Sequence, residues 1–289
     1  MPGEPGQVLT PVRHRAAVLG KPIRHSLSPA LHRAAYEALG LQDWSYEAHE
    51  CDVSGLPELV AGLGPTWAGL SLTMPLKERA LLVASNSTDV ARRTGAVNTL
   101  IRTRDGWRGD NTDVVGVRQA LVDAGIVTGG VRRAVIVGSG ATARSALAAI
   151  ADLGVREVEL VVRDQPRPST IAQARDHGMA VQTVRMDDAA ADCADAELLI
   201  NTTPSGAADG LAEAMSRLAA RADMRGGVLL DVVYAGWPTA LARVAAAYRM
   251  TVVPGIEMLI HQAAAQVEQM TGRTAPLAVM QQVGRAAVA

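Results

Sequence analysis

Residues 134–147, AVIVGSGATARSAL, determine how the rest of the chain is interpreted. Four apolar residues lead into Gly138-x-Gly140-x-x-Ala143 and then into a run that favours helix, which predicts a strand, a tight turn and a helix N-terminus. Glycine at 138 lets the backbone reverse, and glycine at 140 lets main-chain N–H groups approach a pyrophosphate at the positive end of the helix dipole. The turn therefore predicts a dinucleotide site, although such turns also occur for packing reasons alone. The residues predicted to bind the dinucleotide here are Gly138, Ser139, Gly140, Ala141, Thr142 and Ala143.

Composition limits the class of protein. The chain has 289 residues, no Phe and a formal net charge of −1. This length suits two domains, and a core of small aliphatic residues suits helices packed on sheets. Because the charge is close to neutral, the chain offers no basic field for nucleic acid, and we expect a small-molecule partner.

Cysteine usage and the N-terminus indicate a cytoplasmic protein. Cys51 and Cys193 lie far apart without paired spacing, which favours reduced thiols. Residues 1–12, MPGEPGQVLTPV, look like a disordered lead and not a signal peptide. No apolar run approaches the length of a membrane span, so we expect no membrane contact. The sequence leaves monomer and homodimer open.

The first part of the chain alternates strand and helix patterns, which predicts a parallel sheet with right-handed crossovers. The predicted strands are residues 15–20, 44–50 and 67–73, and the predicted helices begin near 28 and span 53–63 and 77–84. Residues 106–113, GWRGDNTD, resemble a hairpin, and a helix over 114–124 follows.

Short polar clusters fall where these elements end. Ser26 and Ser28 form a pair of hydroxyls at a helix start that would hold a carboxylate, although Ser28 could be a simple N-cap. Lys77 follows the third strand at the edge where ligands of open sheets collect, but a lone lysine there is usually solvated. Asn98 and Asp113 could equally be a turn residue and a helix cap. Their accumulation predicts one shared cleft.

Two histidines lie beside the first cluster. His25 and His32 have no neighbouring carboxylate or cysteine to complete a ligand set, so we expect no metal.

The second part of the chain continues the strand–helix alternation. Strands are predicted at residues 157–162, 181–184, 198–203, 228–234 and 251–253. Arg163 and Arg167 follow the first of these, where a basic group accommodates the 2′-phosphate of NADP; Asp164 on the ribose would favour NAD. The last helix, after residue 254, carries Met258 and Gln262 one turn apart on one face.

In this order, over about residues 18–271, the motifs resemble the shikimate dehydrogenase family. GKPIRHSLSPALH is similar to the family's opening motif, SLTMPLK to its NVTxPxK, and GAVNT, DNTD, DVVYAGWPT and GIEMLIHQA to its later segments. The resemblance implies that Lys77 is catalytic with Asp113 as its partner. The substrate contacts it implies are Ser26, Ser28, Thr73, Asn98, Asp113, Tyr234 and Gln262. The residues placed at the nicotinamide end are Thr202, Val232, Gly255 and Met258.

The same resemblance implies an architecture and an activity. We expect an α/β protein with a substrate-binding domain, residues 1–113 plus 255–289, built on a mixed, mainly parallel sheet, and a Rossmann-type NADP-binding domain, residues 114–254. The expected reaction is the reversible NADPH-dependent reduction of 3-dehydroshikimate to shikimate, with no metal. The alternatives are an NAD-dependent quinate or shikimate dehydrogenase and a catalytically idle dinucleotide-binding sensor on the same scaffold.

Two departures from the family pattern qualify these expectations. Ser71 stands where the family motif begins with Asn, and this shorter side chain has less reach for one possible contact to a substrate hydroxyl, so a change in affinity is expected. Val162 and Asp164 replace the Asn and Thr that flank the arginine of the family's NADP clamp.

Overall fold

The computed structural model describes residues 11–218 and 226–289, which form two six-stranded sheets with helices packed on them. The predicted α/β class with two sheets is confirmed. The disordered lead predicted for residues 1–12 lies mostly outside the described residues.

The first sheet is mixed and has the strand order β2-β1-β3-β5-β6-β4. β1 pairs in parallel with β2 and β3, whereas β5 is antiparallel to both β3 and β6. Its strands are β1 (His14–Gly20), β2 (Trp44–Glu50), β3 (Trp67–Leu72), β4 (Asn86–Ser87), β5 (Thr99–Thr103) and β6 (Gly106–Asp110). The helices of this part are α1 (Ser28–Ala38), α2 (Leu56–Gly62), α3 (Lys77–Val83), α4 (Asp89–Thr94) and α5 (Asp113–Asp123).

The second sheet is entirely parallel, with the order β12-β11-β10-β7-β8-β9. Its strands are β7 (Arg133–Val137), β8 (Glu157–Val162), β9 (Ala180–Arg185), β10 (Leu198–Asn201), β11 (Val228–Asp231) and β12 (Thr251–Pro254). The helices that follow them are α6 (Ala141–Asp152), α7 (Pro168–Asp176), α8 (Ala190–Ala194), α9 (Asp209–Leu218), α10 (Ala240–Ala247), α11 (Gly255–Thr271) and α12 (Leu277–Ala286). The order reverses between β7 and β10, as it does at the ligand-binding crevice of dinucleotide folds.

The strand that leads into this crevice is β7. Its residues Ala134, Val135, Ile136 and Val137 are completely buried, as expected of a parallel strand covered by helices on both faces. The turn after it begins with Gly138 at a φ of +108°, a conformation that L side chains rarely adopt. The strand–turn–helix unit predicted from residues 134–147 is therefore present, with α6 starting at residue 141.

Two strands of the second sheet end earlier than predicted. Asn201 Oδ1 accepts a hydrogen bond from the backbone N–H of Thr203 at 3.1 Å, and Asp231 Oδ1 accepts one from Val233 at 3.1 Å. These side-chain-to-backbone bonds turn the chain at residues that the apolar pattern alone assigns to strand.

Helices α5 and α11 pack against each other at Gly116, where an added Cβ would lie 2.6 Å from the carbonyl oxygen of Met258. This close approach brings the start of α5, at Asp113, beside Gln262 on α11. No helix within the described ranges combines the length and apolarity needed to cross a membrane.

Candidate active site

A cleft of about 280 Å³ is lined by residues from both parts of the chain. Its lining comes from the ends of β1 and β3, the starts of α1 and α5, and the first turns of α11. A cavity of this size, close to the lower end of the usual range of about 300–1,000 Å³ for ligand pockets, suits a small ligand. The predicted site residues that line it are Ser26, Ser28, Thr73, Lys77, Asn98, Asp113, Thr142, Val232, Tyr234, Gly255, Met258 and Gln262.

A short polar contact in the cleft joins Lys77 and Asp113. Lys77 is the first residue of α3 and Asp113 the first of α5, and Lys77 Nζ donates to Asp113 Oδ2 at 2.6 Å. Only 14% of the lysine side chain and 5% of the aspartate side chain are exposed. The other carboxylate oxygen, Oδ1, accepts from Asn98 Nδ2 at 2.8 Å. The amine is therefore held by a carboxylate that is itself fixed from its far side.

Amide side chains form the wall next to this pair. Asn98 Nδ2 also approaches Gln262 Oε1 at 3.2 Å, and Thr99 Oγ1 donates to Asn98 Oδ1 at 2.7 Å. Gln266 Nε2 donates to Thr99 Oγ1 at 2.9 Å, and Ser71 Oγ donates to Gln266 Oε1 at 2.8 Å. Since an open cleft leaves some of these donors and acceptors accessible, the wall can recognise hydroxyl groups.

At the start of α1, the N-cap interpretation of Ser28 is wrong. The N-cap of α1 is Leu27, which is already in the right-handed helical region, and no side chain caps the helix. Ser28 is the first helical residue, so its hydroxyl is not used for capping. Its backbone N–H lies 3.4 Å from Ser26 Oγ, which places both hydroxyls beside the cleft.

The two histidines near this end differ sharply in environment. His25 is exposed and lines the cleft, whereas His32 is completely buried, stacks on Tyr46 at 3.9 Å and donates from Nδ1 to the carbonyl of Ser28 at 2.9 Å. Burial lowers the pKa of His32 to about 4, against the smaller opposing effect of its hydrogen bond to the carbonyl of Ser28. Among residues 11–218 and 226–289, no group of three or more His, Cys, Asp or Glu side chains is arranged for a metal.

Tyr234 closes the cleft from the loop after β11. Burial raises the pKa of its phenol, and a backbone hydrogen bond with Leu27 offsets part of that effect. Behind the cleft, Tyr46 donates to Ser71 Oγ at 2.6 Å. Burial raises the pKa of Tyr46 further still, so both phenols keep their protons at neutral pH.

The turn after β7 has the features that a bound dinucleotide needs. A Cβ at Gly138 would lie 2.6 Å from Thr202 Oγ1, whereas a Cβ at Gly140 would meet no atom within 4 Å, so the backbone there faces open space. The first turn of α6 has no side-chain cap and no acidic residue. Its N–H groups can therefore take an anion, and this part of the chain fits a pyrophosphate.

Several predicted cofactor residues lie outside the cleft lining. Ser139 braces the segment before α7, because its Oγ accepts from the N–H of Arg167 at 3.2 Å and its carbonyl accepts from Thr170 at 2.7 Å. Thr202 Oγ1 donates to the carbonyl of Val137 at 2.7 Å, which ties β10 to β7. The remaining members of this group are Gly138, Gly140, Ala141, Ala143, Arg163 and Arg167.

Arg163 and Asp164 are both exposed at the end of β8. Arg167, also exposed, donates from Nη1 to Glu78 Oε1 at 2.8 Å. The two arginines predicted to take a 2′-phosphate thus lie on the surface, beyond the cleft that holds Lys77.

Sequence reasoning missed Gln266, which lines the cleft, and Tyr46, which bonds to Ser71 from behind it. Gln266 lies one turn beyond Gln262 on the same face of α11, so helical spacing could have revealed it. Tyr46 lies on β2, and nothing in its local sequence signals a role. Sequence reasoning also missed Glu78 and Arg144, and with them the contact that Arg167 makes with Glu78.

An open cleft between a mixed sheet and a parallel dinucleotide-type sheet, with an amine–carboxylate pair inside, fits the class of nicotinamide-dependent oxidoreductases. Residues 18–100 match the model of the shikimate dehydrogenase substrate binding domain, and residues 255–283 match that of the shikimate 5′-dehydrogenase C-terminal domain. The shikimate dehydrogenase (NADP(+)) of Halobacterium salinarum is 35% identical over 93% of this chain and 97% of its own length.

Solved structures agree with these matches. The shikimate dehydrogenase of Mycobacterium tuberculosis has a TM-score of 0.83 and 42% identity, covering 94% of this chain and 99% of that one. The Thermus thermophilus shikimate 5-dehydrogenase in complex with NADP(H) and shikimate has a TM-score of 0.79 and 31% identity, covering 95% of this chain and 99% of that one. The chain belongs to the shikimate dehydrogenase family.

Proposed function

We propose that the protein catalyses the reversible NADPH-dependent reduction of 3-dehydroshikimate to shikimate. Membership of the family and the NADP(+) dependence of its curated relative support the reaction and the cofactor. The observation that carries the proposal is the contact of 2.6 Å between Lys77 Nζ and Asp113 Oδ2 inside the cleft, because alcohol–ketone interconversion needs a positioned proton donor and acceptor.

The two sheets support a division of labour between domains. In this proposal residues 1–113 plus 255–289 bind and transform the substrate, and residues 114–254 bind NADP(H). The first sheet ends at Asp110, the second runs from Arg133 to Pro254, and α11 packs back against α1. Helix α5 contacts both α11 and α6, so it links the two parts.

Lys77 is proposed as the acid and base of the reaction. When bound, NADP(H) supplies or accepts the hydride at substrate C3. Lys77 Nζ donates a proton to the C3 oxygen during reduction and takes it back in the reverse direction. Asp113 orients the amine through Oδ2 while Asn98 fixes Oδ1, so the ammonium is aimed before the substrate arrives. The ammonium also stabilises negative charge that develops on that oxygen.

The proposed substrate contacts are polar side chains that line the cleft. The paired hydroxyls of Ser26 and Ser28 suit the substrate carboxylate, whereas Asn98, Asp113 and Gln262 suit its ring hydroxyls. Thr73 and Tyr234, which also line the cleft, are proposed as further contacts.

The dinucleotide is proposed to lie along the turn after β7. The N–H groups around Gly140 would hold its pyrophosphate, and Arg163 with Arg167 would hold the 2′-phosphate. The other residues proposed to contact it are Gly138, Ser139, Ala141, Thr142, Ala143, Thr202, Val232, Gly255 and Met258.

A steady-state assay of the purified protein tests the proposal and its alternatives together. NADPH with 3-dehydroshikimate is expected to give turnover, followed by the loss of nicotinamide absorbance. Faster turnover with NADH, or with the quinate pair, would favour the NAD-dependent quinate or shikimate dehydrogenase. Dinucleotide binding without turnover on any of these substrates would favour the idle sensor and reject the proposed reaction.

We also propose that the protein works in the cytoplasm. Cys51 and Cys193 are both free and buried, and two separate thiols of this kind suit a reducing compartment. Whether the chain acts as a monomer or a homodimer stays a prediction for sedimentation or light scattering.

A further inference from the structure

Three charged side chains meet at the outer edge of the dinucleotide side. Glu78 Oε1 accepts from Arg144 Nη2 at 2.7 Å and from Arg167 Nη1 at 2.8 Å. Glu78 follows Lys77 on α3, Arg144 lies in the first turn of α6, and Arg167 precedes α7. The Oε1 atom of Glu78 therefore links α3, which also carries Lys77, to the start of α6 and to the segment before α7.

The two arginines differ in how firmly they are held. The side chain of Arg144 is 4% exposed, and its guanidinium also donates to the carbonyls of Thr94 at 2.6 Å and Gly95 at 3.3 Å. The side chain of Arg167 is 55% exposed, and Glu78 is the acceptor of its guanidinium bond. Arg144 is thus a fixed anchor, and Arg167 is the member that can leave.

Glu78, Arg144 and Arg167 together carry a net positive charge, so this group can bind a further anion. Burial by itself would raise the pKa of Glu78, but the hydrogen bonds and charges of Arg144 and Arg167 outweigh it and lower that pKa. The carboxylate is therefore ionised at neutral pH, and one negative charge faces two positive charges. A phosphate monoester, with a charge of about −1.5 to −2, would attract Arg167 more strongly than a shared carboxylate does.

We propose that Glu78 is a specificity-determining residue for the cofactor: its carboxylate competes with the 2′-phosphate of NADP(H) for Arg167, and Arg167 exchanges the carboxylate for the phosphate when the cofactor binds. This inference rests on the proposed assignment of Arg167 to that phosphate. After the exchange Glu78 keeps Arg144 as its partner, so no charge is left unpaired. The carboxylate is a competitor that weakens NADPH binding and leaves NADH binding unchanged.

The experiment measures the dissociation constants of NADPH and NADH on the full chain without substrate, by the fluorescence of the bound nicotinamide. The proteins compared are the wild type, Glu78→Gln, Arg167→Ala and the double variant. Glutamine keeps an amide oxygen for Arg144 while removing the charge, and a melting curve checks each fold. Because an ion pair with one partner this exposed is weak, we expect Glu78→Gln to tighten NADPH binding by about two- to fivefold. NADH binding is expected to stay the same.

The double variant is the matched control. If the effect runs through Arg167, Glu78→Gln changes nothing in the Arg167→Ala background. Equal tightening in that background, equal tightening for NADH, or weaker NADPH binding in Glu78→Gln would each overturn the exchange. If Arg167→Ala alone leaves NADPH affinity intact, Arg167 is not a phosphate ligand and this inference fails with it. Turnover of 3-dehydroshikimate in the wild type would stand in either case, so failure here is distinct from failure of the proposed reaction.

Discussion

Replacing Lys77 by methionine tests the proposed chemistry most directly. Methionine keeps an unbranched apolar chain of similar length and removes the amine that lies 2.6 Å from Asp113 Oδ2. A positioned acid or base contributes about 10²–10⁴-fold to rate, so we expect kcat to fall by that factor, or about 3–5 kcal/mol in activation free energy. KM is expected to change far less, because the contact to the reacting oxygen strengthens only in the transition state.

The same substitution has a separate effect on stability. It leaves the Asp113 carboxylate, whose side chain is 5% exposed, with Asn98 Nδ2 at 2.8 Å as a neutral partner. Breaking a buried ion pair on one side costs about 3–5 kcal/mol, and the remaining hydrogen bond favours the lower end, about 3 kcal/mol. The double variant Lys77→Met/Asp113→Asn removes both charges, so we expect most of the unfolding free energy to return while activity stays lost.

Lys21 supplies the matched control. It pairs with Asp52 at 3.6 Å, with side chains 56% and 50% exposed, so Lys21→Met is expected to leave both the unfolding free energy and kcat close to their wild-type values. Urea unfolding and steady-state kinetics on all the variants separate the two effects. A kcat for Lys77→Met within tenfold of wild type, or recovered in the double variant, would refute the reasoning, with tenfold corresponding to about 1.4 kcal/mol.

Three further predictions concern the cofactor, acid stability and helix packing. Arg163→Ala is expected to weaken NADPH binding much more than NADH binding; an unchanged ratio of the two dissociation constants would remove Arg163 from the phosphate site. Because burial lowers the pKa of His32 from 6.5 to about 4, the folded protein disfavours the protonated imidazole. The stability that this adds to the free energy of unfolding is fully present above pH 6.5 and is lost as the pH falls towards 4, a change of about 3 kcal/mol. His32→Phe should flatten the dependence of unfolding free energy on pH in this window, and an identical slope in both proteins would contradict the assignment. Gly116→Ala places a Cβ 2.6 Å from the carbonyl of Met258 and should lower the unfolding free energy by about 1–3 kcal/mol in chemical denaturation, whereas unchanged stability would show that α5 and α11 separate freely.

Local patterns predicted the parts of the fold that depend on local geometry. The unit around Gly138 was predictable because a buried strand, a positive φ and a helix start follow each other within a few residues. The ends of β10 and β11 were not, because Asn201 and Asp231 turn the chain through hydrogen bonds that apolar periodicity does not register. The N-cap interpretation of Ser28 failed for a related reason, since the chain enters helical geometry one residue earlier.

The candidate site was predictable only as far as motifs point to individual residues. The motifs select Lys77 and Asp113, but the contact that joins them spans 36 positions and depends on how α3 and α5 are placed. The bond between Ser71 and Gln266 spans 195 positions, so the departure from the family motif at Ser71 could not indicate this partner. Pairings of this kind depend on tertiary packing, which sequence spacing does not encode.

Lysine is rare in this chain, and almost all of its basic residues are arginines. Of the 28 basic residues, Lys21 and Lys77 are the two lysines. An arginine at 77 would keep the charge but would never release its proton, so the substitution that preserves charge is the one that should abolish proton exchange. With one lysine in solvent and the other in the cleft, isotopic labelling of lysine alone gives two signals, and the ionisation of the reacting amine can be followed directly through the catalytic cycle.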